Sequence, residues 1–154
     1  MLVSVSDNTL ETERFLIELG VPTIRTSGED FVGDLHEAFE VMSGDFILTC
    51  PSDTPLLSPR SIDRFVESFD PKTMESHVAL VCCDVVREMG ITPSFVMNRY
   101  GTDWAVAGLS ILDRRKTLRD DYLSETFYHT DDRDFAVNVN TQKDLDLARR
   151  IHLQ

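Results

Sequence analysis

The sequence predicts an α/β protein: a mostly parallel sheet with helices on both faces, in three layers. Three observations lead there. Short β-branched or apolar runs alternate with amphipathic stretches at helical spacing, the connections between them are short, and 154 residues make one domain, 1–154. In open sheets of this kind ligands bind beyond the carboxyl ends of the strands, so the loops that follow strands are where chemistry is sought.

The elements follow in order along the chain. The run LVSVS opens a strand, Asp7 and Asn8 are natural caps, and Thr12, Phe15, Leu16 and Leu19 give the first helix its apolar spacing before Gly20. After Val21 and Pro22 comes the extended piece TIRT, a turn at Ser27-Gly28, and a second helix with Leu35, Ala38, Phe39 and Met42 on one face. DFILTC, residues 45–50, is an apolar run suited to a strand covered on both faces, and it ends in the loop PSDTPLLSP. Ser58 caps the next helix, with Pro59 in its first turn, and the helix carries Ile62, Phe65, Val66 and Phe69.

HVALVCCDVV, residues 77–86, and AVAGLSIL, residues 105–112, read as strands, separated by a surface excursion over 90–103 with a short strand at 94–97. FAVNVN, residues 135–140, reads as the last strand. Thr141 and Asp144 then form a capping box for a helix bearing Leu145, Ala148 and Ile151.

Composition excludes several classes. A formal net charge of −12 repels phosphate backbones, so nucleic acid is not an expected partner. No apolar run approaches the length that spans a bilayer, and the start MLVSVSDN lacks a secretory signal, so a cytoplasmic protein is expected. Cys50, Cys82 and Cys83 have neither disulfide nor zinc spacing and read as three reduced, buried thiols. His36, His77, His129 and His152 show no metal-ligand spacing and read as structural or surface residues.

The chemistry-bearing candidates lie after strands. Asp53 sits three residues past DFILTC, where a strand end projects a carboxylate into a cleft, and Mg²⁺ needs only one or two carboxylates beside phosphate oxygens and water. The alternative is a plain turn, since Asp and Pro are common turn residues. Asn138 and Asn140 alternate along the expected last strand, so their amides share a face; the alternative is that Asn140 merely ends it. Thr26, Ser27 and Gly28 form a strand-to-helix turn with Asp34 at the helix start, suited to a base or ribose edge or simply a turn. Asp131, Asp132 and Asp134 read as a solvated acidic loop, Arg87 and Arg99 as surface cations, and Trp104 as a core aromatic.

Taken in order, TSGEDFVGDLHEAF, GDFILTCPSDTPLLSPRSIDRFVESF, AVAGLSILD and DFAVNVNTQKDLDLARRI resemble the MobA-like nucleotidyltransferases. The finer similarity is to the archaeal GTP:adenosylcobinamide-phosphate guanylyltransferases. The resemblance implies a Rossmann-like nucleotidyltransferase fold that transfers GMP from GTP to a phosphorylated acceptor, adenosylcobinamide phosphate, releasing pyrophosphate. It further implies that Asp53 binds the catalytic Mg²⁺, that Asn138 and Asn140 complete the metal and phosphate site, and that Thr26, Ser27, Gly28 and Asp34 contact the nucleotide. Its alternative is a catalytically inactive nucleotide or metabolite binder of the same fold. The family opens with a strand and a loop of the form G-G-x-G-T-R-M, to which nothing here corresponds, so an N-terminal strand-loop unit is expected to be missing. An exposed strand edge is then expected to make the protein a homo-oligomer.

Overall fold

A computed structural model describes residues 1–152, and the chain falls into two compact units, residues 1–45 with 114–122 and residues 46–113 with 123–154. The last two residues of the second unit lie outside the described residues.

In the first unit, β1 (Val3–Val5) pairs in parallel with β2 (Thr23–Arg25), Val3 opposite Thr23 and Val5 opposite Arg25. Between them a 3-10 turn at Asp7–Thr9 runs into α1 (Leu10–Glu18). The cap is Ser6, not Asp7 or Asn8. The Ser6 side chain accepts from Asn8 N–H at 3.3 Å, and the Ser6 N–H donates to Thr9 Oγ1 at 2.9 Å. The 3-10 turn moved the cap upstream of both expected residues.

α2 (Phe31–Val41) is capped by Asp30, whose carboxylate accepts from Val32 and Gly33 N–H. Arg114 supplies the other end, its guanidinium donating to the carbonyls of Phe39 at 2.6 Å and Glu40 at 3.3 Å, a cation placed where the helix leaves acceptors unpaired.

The second unit carries a five-stranded sheet whose path is β3 (Phe46–Thr49), β6 (Thr102–Asp113), β4 (Ser76–Cys82) and β7 (Glu125–Thr130), with β5 (Val96–Arg99) also paired to β6. β3, β4, β5 and β7 share one direction and β6 opposes them. The strands are thus mostly parallel in direction, although each ladder made with β6 is antiparallel.

α3 (Pro59–Glu67) and α6 (Gln142–His152) carry residues into the core on one face of this sheet. Phe65, Leu109 and Val137 are fully buried, with Ala79, Val81 and Ala148 around them. α3 starts as the sequence indicates, with Ser58 as cap, Ser61 completing the capping box and Pro59 at the first helical position.

Three segments depart from the sequence reading. The strand expected over 77–86 stops at Cys82, and Cys83–Glu88 is α4, because Cys83 and Val86, three apart, turn together into the core and override the β-propensity of the valines. FAVNVN is not a strand: Phe135 closes a 3-10 turn, and Phe135, Ala136 and Val137 are buried in succession with no ladder partner. ETFYHT, read as no element, is β7, hidden because both faces carry aromatic residues. Tyr128 packs against Phe65, and Phe127 lies beneath the Arg99 guanidinium at 3.9 Å. The short strand expected at 94–97 forms at 96–99.

Among the thiols Cys83 is buried, Cys82 half-buried and Cys50 exposed, so the expectation of three buried thiols holds for Cys83 only. No helix among the described residues is long and apolar enough to cross a membrane.

His77 is 3% exposed, stacked on Phe65, with Thr126 Oγ1 2.8 Å from Nδ1 and Ser68 Oγ 3.0 Å from Nε2. Thr126 donates its own hydrogen to the Ser76 carbonyl at 2.7 Å and Ser68 donates its own to the Phe65 carbonyl at 2.6 Å, so each hydroxyl turns a lone pair toward the ring and the single N–H of a neutral His77 is donated to one of them. Burial pushes its pKa below the ordinary value. Below about pH 6.5 the unfolded chain therefore takes up a proton that the folded chain resists, and stability falls with pH through that window. Thermal melts from pH 7.5 to 5.5 will show a declining midpoint, and His77→Gln will flatten the decline; an equal slope in both proteins would remove His77 as the cause.

Candidate functional site

The residues singled out in the sequence fall on both units. Asp53, Asn138 and Asn140 belong to the second, and Thr26, Ser27, Gly28 and Asp34 to the first.

β3 delivers the first group. The chain leaves the sheet after Thr49, turns through Pro51 with Thr54 Oγ1 donating to the Pro51 carbonyl at 3.1 Å, and reaches the cap of α3 at Ser58. Asp53 lies within that turn. Its carbonyl accepts the backbone N–H of Val139 at 2.8 Å, which brings the loop after β3 onto the loop before α6. Among the described residues, Asp53 Oδ1 is the one buried side-chain oxygen or nitrogen with no hydrogen-bond partner. A buried carboxylate oxygen in that condition costs free energy unless a cation or donor meets it.

Asn138 and Asn140 flank the residue bonded to Asp53, and Asn140 Nδ2 donates to Asn138 Oδ1. The two side-chain amides therefore bond to each other, and no strand alternation brings them together. The pair leaves the Asn138 amide hydrogens and the Asn140 carbonyl oxygen for a ligand. Asp144 fixes the backbone here, its Oδ2 accepting from Asn140 N–H at 3.2 Å, Thr141 N–H at 2.9 Å and the Thr141 hydroxyl at 2.8 Å. The Thr141 hydroxyl chiefly holds the Asp144 carboxyl below the usual range.

The donor set bears on the metal. No cluster of three or more His, Cys, Asp or Glu that could hold an ion exists among the described residues. A caged calcium or zinc site is not what the second unit offers. One buried carboxylate oxygen lacking a partner, on a loop bonded through its backbone to the Asn138–Asn140 segment, fits a hard cation that takes its other ligands from phosphate and water.

The neighbouring acidic residues are occupied. Asp134 accepts from the Ser58 hydroxyl, and Asp132 pairs with Arg64 at 2.7 Å while capping its own 3-10 turn, so these two are joints rather than solvated charges. Arg87 pairs with Asp84, and Arg99 covers Phe127. Trp104 packs edge-on against His129, half-buried at the start of β6.

A cavity of about 20 Å³ lies against Asn138 beneath Thr92, Pro93 and Ser94, room for one water. A larger cleft of about 430 Å³, with Leu56, Met89, Asp134, Leu147 and Ile151 among its walls, is lined by none of Asp53, Asn138 and Asn140.

The first unit's group is a closed turn. Thr26 is buried, its hydroxyl 2.8 Å from that of Ser4. Asp34 accepts from the Ser27 hydroxyl at 2.8 Å and from Gly28 N–H at 3.0 and 3.1 Å. Gly28 has φ +69, and a Cβ there would stand 2.5 Å from Ser6 Cβ, so only glycine fits. The Asp34 carboxylate occupies the position an anion would take on the Gly28 N–H, so this turn does not cradle phosphate. What it presents to a ligand is backbone, in a fixed conformation.

Comparison with solved structures now decides the fold. CMP:2-keto-3-deoxy-manno-octonic acid synthetase complexed with CTP superposes with TM-score 0.75 at 14% identity, covering 99% of this chain and 80% of that one. The fold is that of the nucleotidyltransferases. Two further structures agree. The 4-diphosphocytidyl-2C-methyl-D-erythritol synthase of Anaerococcus prevotii has TM-score 0.66 at 8% identity, covering 99% of this chain and 78% of the other. A cytidylyltransferase from Leptospira borgpetersenii has TM-score 0.61 at 15% identity, covering 99% and 75%. No family model matches the sequence, and no curated protein matches it significantly.

The Ser27 hydroxyl bond chiefly depresses the Asp34 pKa, so the turn holds above the ordinary carboxyl value and loosens as pH falls through the lowered one. Asp34→Asn will speed hydrogen exchange at the Gly28 amide at pH 7 while leaving Val139 exchange unchanged. Equal protection of Gly28 in both proteins would show that Asp34 does not close the turn.

Proposed function

We propose that the protein is a Mg²⁺-dependent nucleotidyltransferase that moves GMP from GTP onto a phosphorylated small-molecule acceptor, adenosylcobinamide phosphate, with release of pyrophosphate. The observation that carries this reading is the buried, unpartnered Asp53 Oδ1, on a loop tied by its Asp53 carbonyl to the N–H of Val139 between Asn138 and Asn140, in a chain with the nucleotidyltransferase fold. GTP and the acceptor come from the sequence resemblance alone.

The chain's own residues have definite tasks. Asp53 would hold the cation, and its backbone bond to Val139 fixes the loop on which that carboxylate stands. The Asn138 amide hydrogens would donate to a phosphate oxygen, and the Asn140 carbonyl would accept from a donor on the ligand or from water. Thr26, Ser27 and Gly28, locked by Asp34, present a rigid backbone edge to the guanine or ribose. Bound Mg²⁺ supplies offsetting charge for the phosphoryl oxygens, needed by a chain whose net charge of −12 otherwise opposes a triphosphate. Attack comes from the acceptor's own phosphate oxygen, so no side-chain nucleophile is required.

We also propose that the protein works as a homo-oligomer. Among the described residues β1 pairs only with β2, and Phe15, Ile17 and Leu19 are each about 60% exposed on and beside α1.

Calorimetric titration with GTP, with and without Mg²⁺, beside Asp53→Ala and with light scattering on the same sample, tests these readings. Mg²⁺-dependent binding weakened at least about tenfold by the substitution, about 1.4 kcal/mol, is expected, from a species larger than one chain. Mg²⁺-independent binding untouched by Asp53→Ala would point instead to a binder without phosphate chemistry. CTP binding in preference to GTP would align the nucleotide choice with the cytidylyl enzymes that share the fold.

A further inference from the structure

We propose that Gly108 is a positioning residue for Asp53: its bare α-carbon seats the Pro51 ring, and that seat sets where the Asp53 carboxylate stands. The functional part of this inference rests on the proposed role of Asp53. Its structural part does not.

Gly108 lies in the middle of β6 with φ +80, a backbone conformation that side chains rarely adopt. It sits in an irregular stretch of the ladder. Val78 of β4 faces Ser110 and Leu80 faces Val106, so two steps along β4 are matched by four along β6, a bulge centred on Gly108. A Cβ built on Gly108 would stand 2.8 Å from Pro51 Cγ, with Pro51 Cβ at 3.4 Å and Cδ at 3.5 Å. The obstacle is a pyrrolidine ring fixed to the backbone, not the far end of a mobile side chain, so the ring moves only if the chain moves with it.

The contact lies where the β3 chain leaves the sheet. Thr49 opposite Ser110 is the last pair of that ladder, with Thr49 Oγ1 donating to the Ser110 carbonyl at 3.3 Å. Two residues on, Pro51 rests on Gly108, and two residues beyond that is Asp53, whose carbonyl is bonded to Val139 N–H at 2.8 Å. Asp53 is thus held from both sides: by a steric seat before it and a hydrogen bond at it. A methyl group at position 108 pushes the seat away and strains that bond.

The test is a double-mutant cycle of Gly108→Ala and Pro51→Ala, read by hydrogen exchange at the Val139 amide and by Mg²⁺-dependent GTP binding. Gly108→Ala is expected to raise Val139 exchange and weaken Mg²⁺-dependent binding by about tenfold, but by less than about threefold in the Pro51→Ala background, where Cγ is gone. The backbone strain of alanine at positive φ is present in both backgrounds and cancels in the cycle. Equal effects in both backgrounds would overturn the seat and leave backbone strain as the cause. Val139 exchange that follows the cycle without any Mg²⁺-dependent binding in the unsubstituted protein would uphold the seat and overturn the functional reading of Asp53. If Gly108→Ala does not fold, Pro51→Ala alone decides: loss of the ring is expected to raise Val139 exchange, and unchanged exchange would overturn the seat.

Discussion

β6 runs against every strand it touches, and the second unit is arranged around it. Its twelve residues pair with β3, β4 and β5, so the ladder carrying the β3 loop and the ladder carrying the core both hang on one strand. One face of β6 places Ala105, Ala107, Leu109 and Ile111 in the core against Phe65 and Val137. Burial of these side chains, at about 25 cal/mol per Å² of apolar surface, is the main favourable term holding the sheet to its helices. The bulge at Gly108 interrupts this regular strand at the point where the Asp53 loop comes down on it.

The loop after β3 and the loop before α6 are irregular, yet both are firmly fixed. Ser58 and Ser61 cap α3, Thr141 and Asp144 brace the start of α6, and Asp134 reaches across to Ser58. The Val139 to Asp53 hydrogen bond closes the two loops on each other. Because the surrounding polar groups are satisfied, the unpartnered Asp53 Oδ1 stands out among the described residues.

Legibility in the sequence followed the range of the interactions. Local signals read true: Ser58 with Pro59 marks the start of α3, and Thr141 with Asp144 braces α6, because caps depend on residues a few positions apart. Non-local packing did not read. Nothing in CCDVV reveals that Cys83 and Val86 turn into the core, and the two-faced ETFYHT conceals β7 because no alternation survives. Asn138 and Asn140 are joined through an irregular segment, not through the strand alternation that FAVNVN suggests. Gly108 offered no sequence signal, as its role depends on Pro51, 57 positions earlier in the chain.

The most direct test of the central claim is addition of Mn²⁺ to isotopically labelled protein, following paramagnetic broadening by NMR. The account predicts that the side-chain amides of Asn138 and Asn140 and the backbone amide of Val139 broaden first, and that Asp53→Ala abolishes that broadening. Broadening that begins at exposed carboxylates such as Asp131 and leaves Asn138 and Asn140 sharp would contradict it.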